Sequence, residues 1–198
     1  MSIRLISVVL VIGVLGLGFA AWWTQREKPR SEMPAGPDAS MPAPAPESAS
    51  PGLRWKVPAP WQTQPDRAMR VATYSTPPAT GDREAGECAV FYFGPGQGGE
   101  TEANIERWIG QFDRPQVGKR SSREVHGVRV THVEIRGTYL APSGPAMESQ
   151  GSFENFALIG AIAEGPNGSV FFKFTGPAKT VEKARGEFED MINSIQKE

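Results

Sequence analysis

Asn104, Arg107 and Gln111 recur at i, i+3 and i+7 in "NIERWIGQ", which puts three hydrogen-bonding side chains along one flank of a helix with Trp108 beside them. Two amides and a guanidinium in such a row can hold a polar ligand or grip a partner protein. Their other use is internal, with Asn104 and Gln111 tying down neighbouring loops and Arg107 pairing with an exposed carboxylate. Ahead of the row stands Gly94-Pro95-Gly96-Gln97-Gly98-Gly99, which fits G-x-G-x-x-G and leads into the helix start, where free backbone N–H groups can receive a small anion. Gly98 and Gly99 therefore join Asn104, Arg107, Trp108 and Gln111 as the candidate binding residues. A dinucleotide would need more: a parallel βαβ unit and an acidic residue closing the next strand about 20 residues on. Pro115 interrupts the run after the helix, and neither Asp113 nor Glu124 closes an apolar strand, so no nucleotide or other cofactor is expected.

The remaining reactive side chains do not assemble into a catalytic set. His132 and Glu134 alternate onto one strand face, but two ligands are short of a tetrahedral metal site, and His126 is separated from them. No metal is expected. Ser143 and Ser152 lack the G-x-S-x-G setting of an activated nucleophile. Cys88 sits between apolar neighbours and reads as a small core residue. Trp55 and Trp61, which bracket Pro58 and Pro60, are expected to cover one end of the core.

These residues must be positioned by the elements around them. "LRWKVP" and "MRVATYST" read as strands, and "ECAVFYFG" is apolar on both faces, with Cys88, Val90 and Tyr92 on one and Ala89, Phe91 and Phe93 on the other. A strand of that kind belongs at the centre of a sheet covered on both sides. Ile105, Trp108, Ile109 and Phe112 recur at helical spacing over Thr101 to Phe112, with Asp113-Arg114-Pro115 ending the helix. In "VHGVRVTHVEIRGTYL", Val128 and Val130 fall out of phase with Val133 and Ile135, and a bulge near Thr131 would restore one buried face. Gly165-Pro166-Asn167-Gly168 separates two strand-like runs as a hairpin turn. Val181, Ala184, Phe188, Met191, Ile192 and Ile195 form the stripe of a closing amphipathic helix over Thr180 to Ile195. The expected fold is α+β, a largely antiparallel sheet flanked by helices.

That domain, residues 53–198, is one of three segments. Leu5 to Trp23 carries no charge, and its 19 positions would span about 28 Å as a helix, long enough to cross a bilayer. Trp22-Trp23 and then Arg26, Lys28 and Arg30 form an aromatic-then-basic edge, so residues 1–25 read as an uncleaved transmembrane anchor. The rival is a cleaved signal peptide with Gly18-Phe19-Ala20 near the cut. Residues 26–52 form a disordered linker: from Pro29 to Pro51 there are seven prolines, five alanines and four serines, and no aromatic or branched aliphatic residue. As extended chain these residues reach up to about 70 Å. The basic residues after the apolar run would by themselves keep the domain cytoplasmic. The anchor-tether-domain layout of envelope proteins places it outside the inner membrane, and export is the topology expected here. A formal net charge of −1 and the lack of a Lys/Arg cluster interleaved with aromatics argue against nucleic acid as a partner.

"MRVATY", "FYFGPGQGGETEANIERWIGQF" and "FFKFTGPAKTVEKARGEFEDMINSI" together resemble uncharacterised bacterial envelope proteins in which a strand leads through a glycine-rich loop into an N-x-x-R-W-x-x-Q helix. The closing strand, "TGP" turn and helix are similar to the end of the PsbP-like family of photosystem accessory proteins. The likeness is residue by residue at Asn104, Arg107, Trp108 and Gln111 and one of element order elsewhere. It implies an α/β sandwich, and a non-enzymatic role in binding, assembly or maintenance of a larger complex. The alternative is a small-ligand carrier or enzyme with its pocket between the sheet and the glycine-rich loop.

Overall fold

The computed structural model describes residues 50–143 and 148–198, with side chains described over 50–141 and 151–198. The expected anchor and all but the last residues of the linker lie outside the described residues. Among those described, no helix is long and apolar enough to cross a membrane.

In chain order the elements are β1 (Leu53–Arg54), β2 (Gln62–Thr63), β3 (Ala72–Thr76), β4 (Gly86–Tyr92), α1 (Thr101–Ile109), β5 (Phe112–Val117), β6 (Ser121–Val125), β7 (Val128–Ser143), β8 (Glu148–Gly165), β9 (Gly168–Pro177), α2 (Ala178–Lys183), α3 (Arg185–Asn193) and β10 (Gln196–Lys197). The main sheet runs β2-β3-β4-β9-β8-β7-β5, with β6 paired to the near end of β7, and every pairing is antiparallel. β1 and β10 form a separate two-stranded ribbon.

The centre of the sheet is buried on both faces, as the two-sided apolar character of β4 requires. On one face Cys88, Val90, Ile159, Ala161, Phe172 and Phe174 meet Val181, Phe188, Met191 and Ile192 of α2 and α3. On the other, Val133, Ile135, Leu158, Ile162 and Phe171 meet Ile105 and Trp108 of α1. Trp55 and Trp61 close one end of the first cluster, edge-on to Phe172 and tilted over Phe174, with their indole N–H groups donating to Tyr74 Oη at 3.0 Å and Glu187 Oε2 at 2.8 Å.

Three expectations need correction. No bulge forms near Thr131, because β7 and β8 stay in register from Arg129↔Glu164 to Gly137↔Phe156. Val128 and Val130 pack toward α3 while Val133 and Ile135 pack toward α1, so with both faces covered the change of phase needs no extra residue. Next, α1 stops at Ile109, and Asp113, Arg114 and Pro115 belong to β5, where the register shifts between Asp113 and Gln116. β5 lies at the sheet margin, where a proline without an N–H is tolerated. Finally, the closing helix begins at Ala178 and is interrupted at Ala184, although Val181, Ala184, Phe188, Met191, Ile192 and Ile195 are all buried.

Turns and tight contacts follow residue type. His126 and Gly127 join β6 to β7 with φ of 46° and 76°, the left-handed pair of a two-residue hairpin. At Gly160 of β8 a β-carbon would lie 2.2 Å from Trp108 Cζ3, so the absence of a side chain is what lets the indole settle against the sheet.

Gly160→Ala is expected to destabilise the fold by about 1–3 kcal/mol through overpacking, lowering the melting temperature of the full chain by several degrees. Gly186→Ala on α3, whose added carbon meets nothing within 4 Å, is expected to leave it unchanged or raise it slightly. Paired thermal-unfolding curves of the two variants check this.

Candidate functional site

α1 covers only part of its face of the sheet. Beside it the inward residues of β4 (Glu87, Ala89, Phe91) and β9 (Phe171, Lys173, Thr175), with Tyr139 of β7 and Phe156 of β8, line a cavity of about 570 Å³. The strand register explains the opening. Lys173 lies between Ala89 of β4 and Gly160 of β8: the Trp108 ring fills the space over Gly160, and the small side chain of Ala89 leaves room on the other side of the lysine.

Four of the six candidate residues stand on this cavity: Asn104, Arg107, Trp108 and Gln111. They divide the work differently from an exposed polar row. Asn104 is buried, and its Nδ2 donates to the carbonyls of Gly98 at 2.8 Å and Glu100 at 3.0 Å, which pins the glycine-rich loop to the helix it precedes. Arg107, at the exposed rim, donates from Nη1 to Asn104 Oδ1 at 2.7 Å and, among the described residues, has no carboxylate partner. Trp108 is buried with the α1-facing cluster. Gln111 accepts through Oε1 from Lys173 Nζ at 2.6 Å.

Gly98 and Gly99 serve the packing of the loop. Gly98 has φ of +92° and comes so close to the rings of Phe171 and Phe93 that an added β-carbon would stand 2.8 Å and 2.9 Å from them. Gly99, at φ +79°, lies beside Asn104 Nδ2. Among the described residues every strand pairing is antiparallel, whereas a dinucleotide fingerprint sits in a parallel βαβ unit.

Lys173 is the group that the motif reading missed. Its ammonium donates to Gln111 Oε1 and to Tyr139 Oη at 2.9 Å and stands 5.1 Å from the centre of the Tyr139 ring. Burial pulls it down to about 8, helped by the positive charge of Arg70 and opposed by Glu87. Burial pushes the Tyr139 phenol up to about 12. Glu87 is itself engaged by Arg67 at 3.0 Å and Arg70 at 2.8 Å, and Arg70 also lies over the Phe91 ring. The hydroxyl of Thr175, one strand period from Lys173, is buried without a hydrogen-bond partner among the described residues. The clue in the sequence was "FFKFT": a lysine in the middle of a strand whose neighbours are all apolar is forced inward by its register.

The other chemical candidates are structural. His132 is buried with Nε2 3.1 Å from Glu189 Oε1 of α3, close enough for an ion pair though not aligned as a hydrogen bond, and burial lowers its pKa. Glu134 instead takes Arg185, which also holds Glu182, so the neighbouring strand residues dock separate groups of the α2–α3 segment. His126 Nδ1 lies 2.8 Å from the carbonyl of Ile195. Cys88 is fully buried, and desolvation pushes its thiol well above the ordinary range.

No protein-family model and no curated protein matches the chain. Among solved structures it is similar to the solution structure of cyanobacterial PsbP (CyanoP) from Synechocystis sp. PCC 6803, with a TM-score of 0.49 and 10% identity over 75% of this chain and 88% of that one. It is also similar to the crystal structure of PA94, a protein of unknown function from Pseudomonas aeruginosa, with a TM-score of 0.45 and 10% identity over 62% of this chain and 78% of that one. Similarities of this size say nothing about what the chain binds, and its antiparallel α+β architecture stands on its own strand register.

The lysine makes stability depend on pH in a defined direction. Between about pH 8 and pH 10.4 the unfolded chain holds a proton on Lys173 that the folded chain has released, so folding becomes more favourable as pH rises through that window. Lys173→Met is expected to lose this gain. Denaturation curves of the two proteins at pH 7 and pH 9.5 check it: the wild type should gain on the variant at the higher pH.

Proposed function

We propose that the chain is a membrane-tethered, non-enzymatic binding domain of the cell envelope, and that it works by taking a small ligand into the cavity between α1 and the sheet. The observation that carries this reading is the cavity itself. Its volume of about 570 Å³ falls in the range of about 300–1,000 Å³ common for small-molecule sites. Seven aromatic residues line it, and Arg107, Gln111 and Lys173 are among the polar groups that converge on it.

A binding role suits the protonation states. Near neutral pH Lys173 keeps its proton and Tyr139 is far from losing one, so neither is in the form of a general base. The tether belongs to the same proposal: an apolar segment at 5–23 followed by a proline-rich spacer would hold the domain at a distance from the inner membrane on its outer side. The PsbP-like pattern of residues supports an accessory role in a larger complex over catalysis.

Ala141 lines the cavity and is half-buried, so Ala141→Trp is expected to fill the space without disturbing the two clusters. In a thermal-shift screen of small aromatic compounds against the full chain, a ligand at about 100 times its dissociation constant should stabilise the wild type by about 2.7 kcal/mol. Ala141→Trp, melting at the wild-type temperature without ligand, should lose that shift. Shifts that persist unchanged in the filled variant would remove the cavity from consideration.

A further inference from the structure

We infer that the ligand is a small carboxylic acid with an aromatic body, and that its carboxylate is received by Lys173 at the floor of the cavity. This rests on the cavity being a binding site and adds the class of molecule that it takes.

The inference stands on the donors of one ammonium. A lysine Nζ carries three N–H groups. Gln111 Oε1 at 2.6 Å and Tyr139 Oη at 2.9 Å take two of them, both neutral acceptors, and among the described residues no carboxylate comes within ion-pair distance. One N–H and the whole positive charge are left over on a group that the strand register fixes among apolar rings. In such surroundings an anion gains far more from a charged donor than it would in water, whereas a neutral acceptor gains only a modest hydrogen bond.

The charge of the lining points to a negative group. Three cations, Arg70, Arg107 and Lys173, line the cavity against two carboxylates, Glu84 and Glu87, and Glu87 is further engaged by Arg67, so the lining carries an excess of positive charge. Arg70 is spoken for by Glu87 at 2.8 Å, and Glu84 is exposed to water. A cationic ligand would meet Lys173 directly, and the one N–H left on its ammonium suits a single carboxylate oxygen. The rings of Phe91, Phe156 and Phe171 in the lining supply apolar surface for a planar body.

Matched probes separate the charge from the body: benzoate against benzyl alcohol, and 2-naphthoate against 2-naphthylmethanol. They are titrated into the full chain in detergent and into empty micelles as the blank. The wild type is expected to bind each carboxylate at least about tenfold more tightly than its alcohol. Lys173→Met should abolish that preference while still binding the alcohols, and Arg120→Gln, outside the cavity lining on the outer side of α1, should keep it. In the wild type the carboxylate affinity should also fall, and the alcohol affinity hold, as pH rises until Lys173 is neutral.

Equal affinity for both members of each pair would overturn the carboxylate assignment and leave the cavity reading standing. A preference that disappears with Arg107→Gln but survives Lys173→Met would overturn the placement on Lys173. Binding of no probe at all, charged or neutral, would count against the cavity reading as well as the ligand class.

Discussion

The benzo ring of Trp108 occupies the place that a side chain at Gly160 would take, with Cζ3 and Cε3 at 2.2 Å and 2.6 Å from where a β-carbon would stand. That contact sets how closely α1 approaches the sheet, and much else is arranged around it. Ile105, one helical turn away, reaches the same cluster, and Arg120 pairs with Glu102 and Glu106 on the outer side of the helix. The exposed ion pairs add little, of order 0.2–1 kcal/mol each, whereas full burial of each large apolar side chain contributes about 1.5–3 kcal/mol. Apolar contact with the sheet therefore holds the helix down.

Because the helix is seated there, it leaves the neighbouring strip of β4 and β9 uncovered. On the opposite face α2 and α3 spread over the sheet, and Arg136, Glu182, Arg185, Glu134, Arg123 and Glu189 bind their flanks to β6 and β7. The asymmetry between a broad helical layer on one side and a single short helix on the other places the cavity beside α1.

A lysine in that cavity costs stability as long as it is charged, because its ammonium exchanges part of its water for two neutral acceptors. Methionine would fill the same stem without this cost. Lys173 is a locally unfavourable residue held by a central strand between Ala89 and Gly160, the kind of departure from the apolar pattern on which the proposed binding role rests.

Several features were legible in the sequence because they depend on local periodicity. The two-sided apolar run of β4, the β8–β9 hairpin, the Trp108 face of α1 and the stripe from Val181 to Ile195 all follow from which positions are apolar, and burial enforces that pattern wherever the chain folds. The row Asn104, Arg107 and Gln111 was legible as a row, but its division into a loop clamp, a rim cation and a lysine acceptor was not. The sequence determined that Asn104 and Arg107 share a helix flank, whereas Gln111, expected on the same helix, falls in the turn just after α1. Only the tertiary structure decided that Lys173, sixty-two positions beyond Gln111, would stand opposite it, since a strand's register against its neighbours is set by long-range pairing that no local spacing records. For the same physical reason the phase change in β7 read as a bulge in one dimension and proved to be a strand with a helix on each side.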